Sequence, residues 1–289
     1  MESTGQTVSN PLTMFMRQPK IYIRLPSGGK FWPIGALEMT ETGEFPVYSM
    51  TAKDELTLKI PDALLNGQAV VDVIQNCMPN IKNAWKCPSI DMDLILIAIR
   101  LATYGEMMTT PIKFNNDVEI EYEVDLRTVM DSLTNQIYWK EAVPINDELT
   151  VFVKPLCYKD MTKAAIETFE TQKIMQLVND ERLDEENKVA AFKESFKKLS
   201  NATLGAVEDS ISRIDSSQGS TSDPLHIKQF VDNVDKSIFG MIQSHLEKMR
   251  DQNQIKPLTI QITDEMREQG IIGDTVEVPL TFDASTFFV

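Results

Sequence analysis

Two histidines, three cysteines and one close pair of aspartates carry most of the chemistry available to this chain: His226 and His245, Cys77, Cys87 and Cys157, and Asp91 with Asp93. An imidazole can serve as general base or metal ligand near neutral pH. Two carboxylates can hydrolyse a glycosidic bond when they flank it across a cleft. Neither pattern is organised here. His226 falls in the first turn of an expected helix, and His245 lies four residues after Met241 on an apolar stripe, the place of a hydrogen-bonded core or partner-facing histidine. Asp91 and Asp93, two residues apart on a helix, point to different faces and suit the positive helix start better than a shared substrate. The cysteines form no CxxC pair, as expected of buried thiols in a reducing compartment. Gly28-Gly29 lacks the GK[ST] or GxGxxG surroundings of a phosphate loop, and no HExxH or GxSxG occurs. The expectation is therefore no catalytic residue, no cofactor and no metal site.

Composition narrows the classes further. The 289 residues are 42% hydrophobic and 25% charged, ordinary for a soluble globular protein with a substantial core. A net charge of −15 argues against nucleic acid as partner, because phosphate binding needs clustered Lys and Arg. The runs Lys193–Lys198 and Lys248–Arg250 are interleaved with Glu and read as solvated helix faces. No Arg/Lys-led apolar leader opens the sequence, and the most apolar stretch, Ile90–Ala102, is interrupted by charges and too short to span a bilayer. No membrane partner is expected.

The elements that must carry these residues fall into three regions. After a polar arm, residues 1–18, Ile21, Ile23 and Leu25 alternate before Ser27-Gly28-Gly29, which predicts a hairpin turn between two short strands. "FPVYSM" is strand-like. A block of short helices follows, with Pro61 in a first turn, a break at Asn66-Gly67 and a stop at Met78-Pro79. The run from Ser89 to Gly105 is apolar nearly all round and predicts a buried helix capped by Ser89 and closed by Gly105. Alternation at Val118, Ile120, Tyr122 and Val124 predicts a hairpin with "PIKF", and Asp125 caps a further helix. "ELTVFVKP" reads as another strand.

From Asp160 to Gln254 the pattern is helical, interrupted at residues 215–224. Val189, Phe192, Phe196 and Leu199 repeat at three- and four-residue spacing, with Val207, Ile211 and Ile214 expected to resume the stripe. A third helix, capped by Asp223 with Pro224 at its first position, is expected to carry Ile227, Val231, Val234, Ile238 and Met241 on one face. "PLTIQIT" and "TVEVPLTFD" return to strands. Trp32, Trp85 and Trp139 are read as core or rim residues, and Met107 and Met108 as core filler. The fold class is α+β: a mixed domain of short helices and antiparallel strands, residues 19–157 plus 256–289, with an inserted long-helix hairpin or bundle at 158–255.

"KDELTLKIPDALLNGQAVVDVIQNCMPNIKNAWKCPSIDMDLILIAIRLATYG" resembles the signature core of the base plate hub family of T4-like contractile-tailed phages, in the order K-D-E-L, P-D-A-L-L-N-G, C-x-P-x-I, P-S-x-D and A-I-R-x-A-T-Y-G. The match extends over residues 20–135, and the ending "PLTFDASTFFV" is similar to the family's terminus. The resemblance implies a non-enzymatic baseplate hub subunit or a tail-assembly chaperone. Its partners would be other hub or tail proteins, the tape-measure protein among them, met in the host cytoplasm during assembly or in the virion tail. A cell-wall hydrolase of the hub and a generic helical adaptor stand as alternatives. Oligomeric state and release from the mature particle are left open.

Many members of that family carry two CxxC pairs resembling a four-cysteine zinc site, and this chain has no cysteine in the corresponding stretches. The resemblance therefore implies that the hairpin around 111–124 meets the strands at 257–282 through apolar side chains. Ile112, Phe114, Ile120 and Tyr122 would face Leu258, Ile260 and Val278.

Overall fold

The computed structural model describes residues 12, 15–60, 67–113, 119–134, 139–178, 185–268, 273–278 and 287. Strand β1 (Pro19–Ile23) pairs antiparallel with β2 (Phe45–Tyr48), so that Ile23 and Phe45 stand opposite each other and are buried. The partner of β1 thus begins at Phe45, well past Lys30, where a hairpin turning at Ser27-Gly28-Gly29 would start it. That turn belongs instead to a loop held down by a buried side chain, described below.

Helix α1 (Ala52–Leu58) starts with a reciprocal cap: the Thr51 hydroxyl accepts from Asp54 N–H, while the Asp54 carboxylate accepts from Thr51 N–H at 2.7 Å. Helix α2 (Gln68–Cys77) presents Val70, Val71, Val73 and Ile74 to the core and stops at Met78, as the Met78-Pro79 break predicts. Gly67 precedes it with φ +78°, and a Cβ built there would lie 3.1 Å from both Thr162 and the Tyr158 hydroxyl. Any other residue there is strained by the positive φ and must press on Thr162 and Tyr158.

After a 3-10 turn at Ala84–Lys86 comes α3 (Ser89–Tyr104), whose Leu94, Ile95, Ile97, Ala98 and Ile99 are at most 1% exposed. Gly105 closes it as expected. Ser89 is not its cap. Pro88 holds that position, and the Ser89 N–H donates to the Leu156 carbonyl, an orphan donor satisfied by tertiary pairing.

Strands β3 (Met107–Lys113) and β4 (Glu119–Asp125) form the expected hairpin, with Ile112 opposite Ile120. Met108 faces the core and Met107 is exposed, so the strand's alternation divides the pair expected as filler. Helix α4 (Leu126–Thr134) follows, Asp125 accepting from Arg127 N–H as its cap.

Strands β5 (Ala142–Asn146) and β6 (Leu149–Val153) join β7 (Ile211–Ser216) and β8 (Gly219–Thr221) in one sheet ordered β5-β6-β7-β8. Between them run the long helices α5 (Tyr158–Val178) and α6 (Glu185–Ser210), packed on each other. Ile211 and Ile214 therefore do not continue the helical stripe. Their spacing of three mimics a helix, but a register shift opposite Phe152 and Val153 lets both turn inward from one strand.

The expected third helix is two: α7 (Pro224–Asn233), capped by Asp223, and α8 (Lys236–Asn253). The extended residues Val234 and Asp235 between them reset the helical phase. Ile242 is consequently buried and Met241 is exposed, reversing the face read from periodicity.

Strand β9 (Leu258–Gln261) pairs with β10 (Thr275–Val278), and the short α9 (Asp264–Glu268) lies between them in sequence.

Among the described residues, three apolar clusters result. The largest gathers β1, β2, α2, α3 and α4 and also takes in Phe287. The second joins Val143, Val151 and Val153 to Val207, Ile214, Ile227 and Ile242, so strands preceding residue 158 share a core with helices following it. The third contains Ile112, Ile260, Ile262 and Met266, with Ile120, Tyr122, Leu258 and Val278 against them. This is the apolar contact inferred between the two strand pairs. Phe114 lies outside the described residues.

Candidate functional site

Asp91 is fully buried in the first turn of α3, and its carboxylate accepts three hydrogen bonds. Ser27 N–H donates at 2.7 Å, the Ser27 hydroxyl at 2.5 Å and Trp32 Nε1–H at 2.7 Å. Burial pushes this carboxyl up, and the bonds from Ser27 and Trp32 pull in the opposite direction. Its oxygens are committed to pinning the Ser27-Gly28-Gly29 loop. The helix-start reading of Asp91 needs that correction: its position is right, but its hydrogen bonds run to the loop.

Asp93 faces elsewhere. It lines a groove of about 470 Å³ together with Trp139, Met161, Leu199, Leu246 and Arg250, and burial pushes its carboxyl up to about 6. The two carboxylates share no substrate-sized space.

The histidines bridge elements. His245 Nε2 donates to the Lys140 carbonyl at 2.7 Å, which ties α8 to the chain entering β5. His226 Nδ1 lies 3.2 Å from the Thr221 hydroxyl at the end of β8. Burial pushes the Cys77 thiol up to about 12 and raises Cys87 well above its ordinary value. Cys157 is also raised, by burial and by donating to the Asp160 carboxylate at 2.9 Å. High thiol pKa values leave little thiolate to act as nucleophile or ligand. Among the described residues, no three His, Cys, Asp or Glu side chains converge as a metal site would require. No helix among them is long and apolar enough to cross a membrane. Trp32 is buried, Trp85 stacks on Tyr158 at 5.6 Å and Trp139 donates to the Val153 carbonyl, which places all three in structural contacts.

The apolar stripe of α6 is the feature that the rest of the fold does not absorb. A seam of this spacing is expected to close against a neighbouring helix. Instead α6 buries Ser195 completely and α5 buries Thr171, small polar side chains that let the two helices approach. Val189, Phe192, Phe196 and Leu199 remain 50%, 51%, 60% and 43% exposed, and Phe169 of α5 is 47% exposed. Leu199 belongs both to this stripe and to the groove beside Asp93, so the two form one continuous apolar track. Large contiguous apolar surfaces of this kind mark sites of association. The stripe was legible from spacing. Its outward orientation was not.

The root of this hairpin is fixed to the largest core. Ser89 N–H donates to the Leu156 carbonyl and Tyr158 N–H to the Cys87 carbonyl, both at 2.8 Å, around a Pro88–Cys157 bridge. The Trp85–Tyr158 stack and the Gly67–Thr162 approach add to it.

A family model described as T4 bacteriophage base plate protein matches residues 16–263. No curated protein and no solved structure matches the chain.

Proposed function

Because the chain belongs to the family of T4 bacteriophage base plate proteins, we propose that it serves the tail hub as a non-enzymatic docking protein, either a hub subunit or a hub-assembly chaperone. A baseplate protein works in contact with other tail and baseplate proteins, and its place is the tail. The single observation that carries the finer reading is the half-open apolar stripe Val189, Phe192, Phe196 and Leu199 on α6, packed on α5, whose start is bonded into the core. Such a surface is costly to leave in water and gains when a partner covers it. The saturated hydrogen bonding of Asp91, the high thiol pKa values and the backbone-bonded His245 support a role without catalysis.

The host cytoplasm during assembly is the proposed place of first contact, with hub proteins and the tape-measure protein as proposed partners. Capture with the full chain as bait from infected cells is expected to recover tail proteins. Recovery of none, or release of soluble fragments from purified cell wall by the chain alone, overturns the reading. Mass spectrometry of purified virions separates the two versions: presence identifies a subunit, and absence a chaperone.

A further inference from the structure

We propose that the groove between α3, α5, α6 and α8 docks a segment of another protein that carries one Lys or Arg among apolar residues, its cation pairing with Asp93. The inference rests on the docking function proposed above and names the chemistry of the partner.

The groove measures about 470 Å³, within the range of about 300–1,000 Å³ typical of clefts that hold a ligand. Met161 of α5, Leu199 of α6 and Leu246 of α8 make its walls apolar, and neither α5 nor α6 contributes a charged residue to the lining. The charged groups that line it are Asp93 from α3 and Glu247 and Arg250 from α8. Both α8 residues are exposed. Glu247 accepts from Gln243 Nε2–H at 3.0 Å, and Arg250 Nε lies 3.9 Å from the Asp251 carboxylate.

Asp93 stands apart from them. Among the described residues it accepts no hydrogen bond and joins no ion pair, and burial alone accounts for its raised carboxyl. With that carboxyl near 6, the side chain is mostly ionised at neutral pH. Covering the groove removes the water that still solvates it. A wholly apolar occupant would leave a buried charge without a partner, which opposes binding. A Lys or Arg set among apolar residues supplies the missing cation while its neighbours cover Leu199 and Leu246. The net charge of −15 acts in the same direction: it draws a basic segment in and opposes a second copy that carries the same charge. Through Leu199 the segment continues onto the exposed stripe of α6.

The test uses the full chain, expressed during infection, with a photoreactive leucine analogue at Leu199, and the cross-linked peptide is sequenced. The expected product is a segment of another tail protein with Lys or Arg among apolar residues. A synthetic copy of that segment is then titrated against the purified chain. Replacing its basic residue by norleucine, which keeps an apolar stem without the charge, is expected to weaken binding roughly tenfold, and Asp93→Asn to do the same. Asp147→Asn removes one exposed charge outside the groove and is expected to leave binding unchanged. Because the cation favours the ionised carboxyl, affinity should rise between about pH 5 and about pH 7.5, and Asp93→Asn should abolish the rise. An occupant without the cation favours the protonated carboxyl and gives the opposite slope. The norleucine comparison uses the unaltered chain, so it does not depend on the folding of any variant. A cross-link to a second copy, to a segment without a basic residue, or to nothing overturns the proposal. So does equal binding of the norleucine peptide, undiminished binding by Asp93→Asn, or affinity that falls with pH. The capture experiment distinguishes the failures. Tail proteins recovered by the bait without the cross-link overturn the groove alone, and failure to recover any overturns the docking function with it.

Discussion

Asp91 and Asp93 stand two residues apart on one helix and differ in what surrounds them. Asp91 is saturated by Ser27 and Trp32, whereas burial in the groove is the cause that raises Asp93 to about 6 from an ordinary 3.8. The folded chain thus holds the Asp93 proton to higher pH than the unfolded chain does. Stability falls as pH rises from about 4 through about 6, and above that window the cost of the buried charge is complete, at most about 3 kcal/mol. Asp93→Asn is expected to raise the thermal midpoint near pH 7.5, with the gain vanishing near pH 4. A midpoint difference independent of pH would show that burial of the charge is not the cause. Asp54 works in the opposite sense. Burial raises it, but hydrogen bonds from Thr51 and Asn76 and the Arg17 charge outweigh that and hold it low. Its contribution is present above its unfolded value and is lost as pH falls below it. The aspartate positions were readable from the sequence, but the contrast between them was not. It depends on a loop sixty residues away and on a groove made by helices still more distant.

At the scale of elements, short-range signals were legible wherever one element supplied both the pattern and its partner. The Asp125 and Asp223 caps, the Met78-Pro79 stop and the buried α3 all follow from local chemistry. Three readings failed where a distant strand or a broken phase decided the outcome. The Ser27-Gly28-Gly29 turn joins no hairpin, Ile211 and Ile214 belong to a bulged strand, and Met241 yields the core to Ile242. Gly67 is the clearest case of local geometry serving a distant contact. Gly67→Ala must place a Cβ at φ +78° and 3.1 Å from Thr162 and Tyr158. We expect a loss of about 1–3 kcal/mol, read as a drop of several degrees in melting temperature. An unchanged midpoint would mean that the hairpin root does not press on α2. In the smallest cluster, Ile260 is 2% exposed between β3–β4 and β9–β10. Ile260→Asp, which buries a charge without a partner, should abolish hydrogen-exchange protection in β9 and β10. Retained protection there would show that the apolar contact does not hold the strand pairs.

At the scale of the molecule, stability is distributed unevenly. α3 sits in the middle of the largest cluster, while Phe169 of α5 and Val189, Phe192 and Phe196 of α6 are exposed and these two helices pack chiefly on each other. Hydrogen exchange should therefore be slowest in α3, near the global unfolding limit, and much faster around Phe192 and Phe196. Uniform protection along the chain would contradict this distribution. The bonded root gives the exposed end a mechanical meaning. An arm of about 20 helical residues extends roughly 30 Å at 1.5 Å per residue, so a pivot of about 10° at Pro88–Cys157 would sweep its tip by roughly 5 Å. Whatever grips Phe192 and Phe196 consequently holds the long end of a lever, and a modest pull there becomes torque on the first turn of α3.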